Sequence, residues 1–202
     1  GFIEIHSPKL MASPSESNAE LFKLEYFEGH AYLAQSPQFY KQMAMMAGFG
    51  RIFEIGPVFR ADPSFTSRHA TEFVSVDIEV SWIDSHEDVM AIQEQLLVRA
   101  ISAVKEKHGE EIKRLFDVDV VVPSVPFPRI PLAEAVDIVK ARGHEIARGG
   151  DMDPEGERQI AAHVFEKHGH EFVFLTDYPA TVRPFYHMRH ADNPALTNSY
   201  DL

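Results

Sequence analysis

An arginine at position 60 and an aromatic at position 73 lie on the two arms of one alternating stretch, Arg51 to Trp82. A guanidinium held on a rigid strand can clamp a phosphate through its planar fork. A phenyl ring offers a stacking surface for a base. Between the arms runs a polar segment with Asp62, Arg68 and His69, and the last two can reach phosphate oxygens. Glu54, Asp77 and Glu79 join Arg60 on one face, a set that can hold a charged ligand. The plain alternative for such a pattern is a salt-bridged hairpin that binds nothing. A second constellation lies upstream, where Gln38 and Lys41 are three residues apart and share a helical face. A neutral hydrogen bonder beside a cation suits a small carboxylate. The alternative is an amphipathic surface helix with a solvated lysine.

These residues need rigid elements beneath them. In the first arm Phe53, Ile55 and Phe59 fall on one face and Glu54 and Arg60 on the other. In the second, Val74, Val76, Ile78, Val80 and Trp82 share a face, opposite Phe73, Ser75, Asp77 and Glu79. Strict alternation predicts an antiparallel hairpin with its apolar face packed on a core. The loop between the arms is too long for a tight turn. AYLA at 31–34 reads as a strand. A helix follows, with Ser36 as N-cap, Pro37 at its first position, Gly48 at its end, and Met43, Met45 and Met46 as core filler.

Beyond the hairpin, Ser85 and Asp88 form a capping-box pattern for a long scaffold helix through Gly109. Leu115–Val122 reads as a strand. Helices are expected from Pro131 to about Gly143, and after Asp153 as cap with Pro154 first. His163, His168 and His170 are read as exposed helix histidines, since nothing completes a zinc constellation. Glu171–Pro179 and Arg183–Met188 read as two further strands.

Composition bounds the rest. The 202 residues are 45% hydrophobic and 25% charged, enough for a core. A formal net charge of −12 excludes a chain basic all over, though not a local basic groove. The absence of cysteine excludes disulfides and thiolate chemistry. No run reaches membrane-spanning length and no signal peptide is visible, so a cytoplasmic protein with no membrane partner is expected. The start at Gly1, without methionine, and the ending at Leu202 suggest part of a longer polypeptide.

Phe59-Arg60-x-Asp62, a polar loop, then His69-x-x-x-Phe73-x-x-x-Asp77 resembles the second signature motif of class II aminoacyl-tRNA synthetases, with Asp62 where glutamate is usual. Gly1-Phe2, Ile5 and Pro8-x-Leu10 are similar to the end of the family's first, dimer-forming motif. Gln35-Ser36-Pro37-Gln38-x-x-Lys41-Gln42 resembles the amino-acid pocket of the aspartyl-tRNA synthetases of archaeal and eukaryotic type. Glu16 matches an acid that lies near the substrate's ammonium group, although Ser17-Asn18 replaces a common Gly-Gly. Thr176-Asp177-Tyr178-Pro179, Pro184-Phe185-Tyr186 and the closing Tyr200-Asp201-Leu202 match the same family. Its third motif and its N-terminal anticodon-binding barrel are not among the 202 residues.

The resemblance implies an α+β fold, a mostly antiparallel sheet flanked by helices, with residues 1–202 as part of a class II catalytic domain. It implies activation of L-aspartate by ATP and transfer to tRNA(Asp), with tRNA(Asn) left open as a second acceptor. Arg60 would hold the α-phosphate and the reacting carboxylate. Asp62, Arg68, His69 and Phe73 would position ATP, and Glu16, Gln38, Lys41 and Tyr186 the amino acid. Asp201 would supply a ligand to Mg2+, and the chain would form a homodimer. Two alternatives stay open: a paralogue that makes asparagine or a free adenylate on the same fold, and a dimerising fragment without catalysis.

Overall fold

The computed structural model describes residues 1–14, 21–61, 70–146 and 151–202. The chain divides into two compact units, Gly1–Ile83 and Asp84–Leu202. Helices and strands are mixed, and most strand pairs are antiparallel.

In the first unit, strands β1 (Ile3–Glu4), β5 (Arg51–Phe59) and β6 (Glu72–Val80) form one sheet in the order β1-β5-β6. β1 runs parallel to β5 and β6 antiparallel to it. Strands β2 (Leu10–Met11), β3 (Lys23–Tyr26) and β4 (Gly29–Leu33) form a second, antiparallel sheet in the order β2-β4-β3. Helix α1 (Gln38–Met46) packs against β5 and β6. Its N-cap position is Pro37, one residue later than expected, yet the Ser36 hydroxyl still accepts the Gln38 N–H at 3.2 Å. Gly48, at φ 95°, closes the helix with its N–H on Met45 O.

The hairpin forms with the expected partners but turns the other way. Ile52, Glu54 and Val58, on the face expected to be polar, are buried. Val74 and Val76, on the apolar face, are 66% and 58% exposed. α1 sits on the face that carries the charges, so alternation marks an apolar face without fixing which face is covered. Met43 and Met46 likewise point outward rather than filling a core.

The second unit opens with α2 (His86–Phe116), whose capping box of Ser85 and Asp88 is present. α2 absorbs Leu115 and Phe116, and residues 117–124 form no strand, contrary to the expected 115–122 strand. Asp117 in the left-handed region stops the helix, and the alternating valines beyond it find no pairing partner among the described residues. Strands β7 (Arg129–Pro131), β8 (Phe174–Thr176) and β9 (Tyr200–Asp201) make a small mixed sheet. Helices α3 (Leu132–Ala141) and α4 (Pro154–His168) pack on it through Leu132, Ala135, Val139, Ile160, Val164 and Leu175. Arg183–Met188, expected as a strand, is a series of turns around Pro184. His170 is buried rather than exposed: Nε2 lies 2.9 Å from Ser124 O, and the ring packs 4.9 Å from that of Phe127. No helix among the described residues is long and apolar enough to cross a membrane.

Candidate functional site

Strand register decides which side chains share a face. Residues opposite each other on antiparallel strands point the same way. The pairs Val58↔Phe73, Gly56↔Ser75, Glu54↔Asp77 and Ile52↔Glu79 therefore line one face, and the Arg60 N–H on Thr71 O at 2.9 Å carries the ladder one residue further. The Arg60 guanidinium lies over the Phe73 ring, 5.5 Å from its centroid. Its Nε is buried and donates no hydrogen bond among the described residues. Two of the residues expected to handle a nucleotide are thus in contact.

Lys41 is the buried residue of α1. Its Nζ lies 2.6 Å from Asp77 Oδ1 and 3.3 Å from Glu79 Oε2, and the Ser75 hydroxyl donates to Asp77 Oδ2 at 2.9 Å. Gln38 lies one turn back on α1 and is half-buried. Lys41 is therefore no solvated surface cation. An ammonium carries three donors, and among the described residues only the one on Asp77 makes a short bond.

One member of this face was not foreseen. Lys9 Nζ lies 2.6 Å from Glu54 Oε1, and the Ser7 N–H and hydroxyl donate to the same carboxylate at 3.1 and 2.7 Å. Burial pushes the Glu54 carboxyl up, but the bonds from Lys9 and Ser7 outweigh it and hold the group below its ordinary value. Lys9 stands at the variable position of Pro8-x-Leu10. Its one signal was a glutamate among apolar strand residues, which needs a partner if buried.

Glu16, Asp62, Arg68 and His69 lie outside the described residues. Tyr186 and Asp201 belong to the second unit. Tyr186 sits in the turns after Pro184, its ring 5.2 Å from that of His187. Asp201, on β9, is paired at 2.8 Å with Arg183 Nη2. The Arg183 guanidinium in turn covers the buried Tyr178 ring at 3.6 Å. Burial, then the Asp201 charge, drive the Tyr178 phenol far above its ordinary value. Among the described residues no group of three or more His, Asp or Glu side chains could hold a metal ion.

An α+β fold in which a long antiparallel hairpin presents an arginine over an aromatic, with a carboxylate-bound lysine on the adjoining helix, is that of the class II aminoacyl-tRNA synthetases. The family model for tRNA synthetases class II (D, K and N) matches residues 1–202, and the chain belongs to that family. It is 48% identical to the aspartate–tRNA(Asp/Asn) ligase of Aeropyrum pernix and 44% identical to the aspartate–tRNA(Asp) ligase of Pyrococcus abyssi. All of the chain is matched in both cases, but it spans only 46% of the length of each relative. Among solved structures it is similar to asparaginyl-tRNA synthetase from Pyrococcus horikoshii complexed with asparaginyl-adenylate. That match has a TM-score of 0.87 at 31% identity, over 100% of this chain and 45% of the other. Aspartyl-tRNA synthetase from Entamoeba histolytica matches with a TM-score of 0.83 at 34% identity, over 99% and 38%.

Proposed function

We propose that this chain is the catalytic-core portion of an enzyme that activates L-aspartate with ATP and passes the aspartyl group to tRNA(Asp). The observation that carries this reading is Lys41, a buried ammonium on the sheet face that also presents Arg60 over Phe73. A cation in an amino-acid pocket favours a side-chain carboxylate over a carboxamide, which needs none. The ligand carboxylate takes the Lys41 donor that makes only the long contact to Glu79. The names of the relatives support this assignment, and the Aeropyrum pernix name keeps tRNA(Asn) as a second acceptor.

In the reaction, an oxygen of the aspartate α-carboxylate attacks the α-phosphorus of ATP in line. The bond from that phosphorus to the bridging oxygen breaks, and pyrophosphate leaves. The terminal hydroxyl of tRNA then takes the aspartyl group and AMP departs. Arg60 holds the α-phosphate and the carboxylate together, and Phe73 stacks on adenine with the side of its ring away from Arg60. Positioning and charge neutralisation account for most of such catalysis. Asp62, Arg68 and His69 orient ATP in this reading, and Glu16, Gln38 and Tyr186 the amino acid. Mg2+ would neutralise phosphate charge. Asp201 offers it one carboxylate, already paired with Arg183, so the described residues do not make a metal site by themselves.

We place the enzyme in the cytoplasm as a homodimer that uses the first residues, where Ile3 is half exposed. Sedimentation velocity at micromolar protein checks the dimer. Pyrophosphate exchange with the gene product that carries this chain tests the function. Exchange is expected to depend on L-aspartate and not on L-asparagine. Dependence on asparagine alone would overturn the reading.

A further inference from the structure

Glu54 and Asp77 stand directly opposite each other on β5 and β6. Like charges in that relation are destabilising unless each is neutralised. Here each has its own lysine at 2.6 Å, Lys9 on Glu54 and Lys41 on Asp77. Glu79 adds a third carboxylate, 3.3 Å from Lys41. Two lysines against three carboxylates leave the cluster with one negative charge even with Lys9 present. Such a site would repel a ligand carboxylate more strongly if Lys9 were lost.

The position of Lys9 is built rather than incidental. Its ammonium lies over Gly56, where a Cβ would stand 3.4 Å from Nζ and 3.2 Å from Glu54 Oε1. Gly56 is opposite Ser75, whose hydroxyl holds Asp77. Lys9 therefore faces the same side of the hairpin as Lys41 and Arg60. The Lys9 side chain keeps 24% of its exposure, whereas Glu54 keeps 3%. Ser7 binds both ends of the pair, accepting from Lys9 Nζ at 3.2 Å and donating to Glu54.

We propose that Lys9 is a positioning and specificity-determining residue of the amino-acid site: it neutralises Glu54 so that Lys41 stays matched to Asp77 and remains able to draw in a ligand's side-chain carboxylate. Without Lys9, the bare Glu54 carboxylate competes for Lys41 across the strand pair. The floor of the site then carries one more negative charge just where a substrate carboxylate must dock.

This inference rests on the aspartate-activating reading above. The test is pyrophosphate exchange by the gene product carrying this chain, with KM measured separately for L-aspartate and ATP. Lys9→Met is expected to raise the aspartate KM by about tenfold or more, with kcat and the ATP KM little changed. Lys9→Arg keeps the charge and restores the parent value. Glu54→Gln removes the carboxylate that Lys9 serves and one negative charge from the floor of the site, so it lowers the aspartate KM, even should Lys9→Met fail to fold. A purely structural role would instead worsen both KM values in Lys9→Met and Glu54→Gln alike, and that result would overturn the proposal. An unmoved aspartate KM in folded Lys9→Met would overturn it alone. A parent with no aspartate-dependent exchange would overturn the functional reading first and this assignment with it.

Discussion

Lys41 is the residue on which most depends. Its ammonium is held by two carboxylates in a nearly dry setting, and removing one partner of such a set costs roughly 2–5 kcal/mol. Lys41→Glu would bring three carboxylates together, so aspartate-dependent exchange is expected to disappear while circular dichroism reports the fold. Equal rates in variant and parent would show that the pocket lies elsewhere. Glu54 gives a pH prediction. Its folded pKa is depressed by Lys9 and Ser7 against the opposing effect of burial, so its contribution is fully present above the unfolded value of about 4.3. The contribution is lost as pH falls from there through the folded value. Urea melts between pH 3 and 7 should show a falling acid limb that Glu54→Gln flattens. The elements that carry Arg60, Phe73, Gln38 and Lys41 were legible because each residue lies within a few positions of a strand or helix signal, while it was the motif resemblance that singled out Arg60 and Phe73. The Lys9–Glu54 bond spans 45 positions, and no local pattern records a partner that distant.

At the scale of elements, helix ends with a local cap could be read because capping is chemistry among neighbours, whereas α2 runs past the expected Gly109 to Phe116, where Asp117 in the left-handed region stops it. Ser85 with Asp88, Asp153 with the Gly156 N–H, and the glycines after α1 and α3 all stand where their side chains or conformational freedom require. Strands were read less well, since a strand exists only with a partner. The 115–122 stretch has the composition of a strand and nothing to pair with among the described residues, and 183–188 meets a partner at its end, where the Asn198 N–H donates to Met188 O at 2.8 Å. Gly143 makes the capping claim testable. It sits at φ 92° with nothing within 4 Å of a built Cβ, so an alanine there meets backbone strain and no clash. Gly143→Ala is expected to cost about 1–2 kcal/mol in urea unfolding. Gly50→Ala, equally open and without a positive φ, should fall within about 0.5 kcal/mol of the parent. Equal losses at both would mean that the end of α3 does not depend on glycine.

For the whole molecule, the chain's share of its relatives sets an expectation. It spans 46% of each of two curated ligases, and its described residues hold no metal cluster. The 202 residues alone should exchange pyrophosphate at least about 10²-fold more slowly than a version as long as those relatives, because each transition-state donor lost costs on the order of 10²–10³. Comparable rates would mean that every essential ATP contact lies within this chain. The hairpin's outward face has a further consequence, for handling in solution. Among the described residues β6 is a nine-residue strand at the edge of its sheet, and Val74 and Val76 on it are bare. An open ladder of N–H and C=O groups beside exposed valines is a template for adding another strand. The exposed Glu72, on the same face as the two valines, puts a negative charge at the end of that apolar run, the kind of gatekeeping that limits edge-to-edge assembly. Copies of a chain with formal net charge −12 at pH 7 repel one another, and that repulsion fades as pH falls toward the sequence pI of about 5.3. The isolated chain is therefore best concentrated near neutral pH, and acidic elution steps are where it should precipitate first.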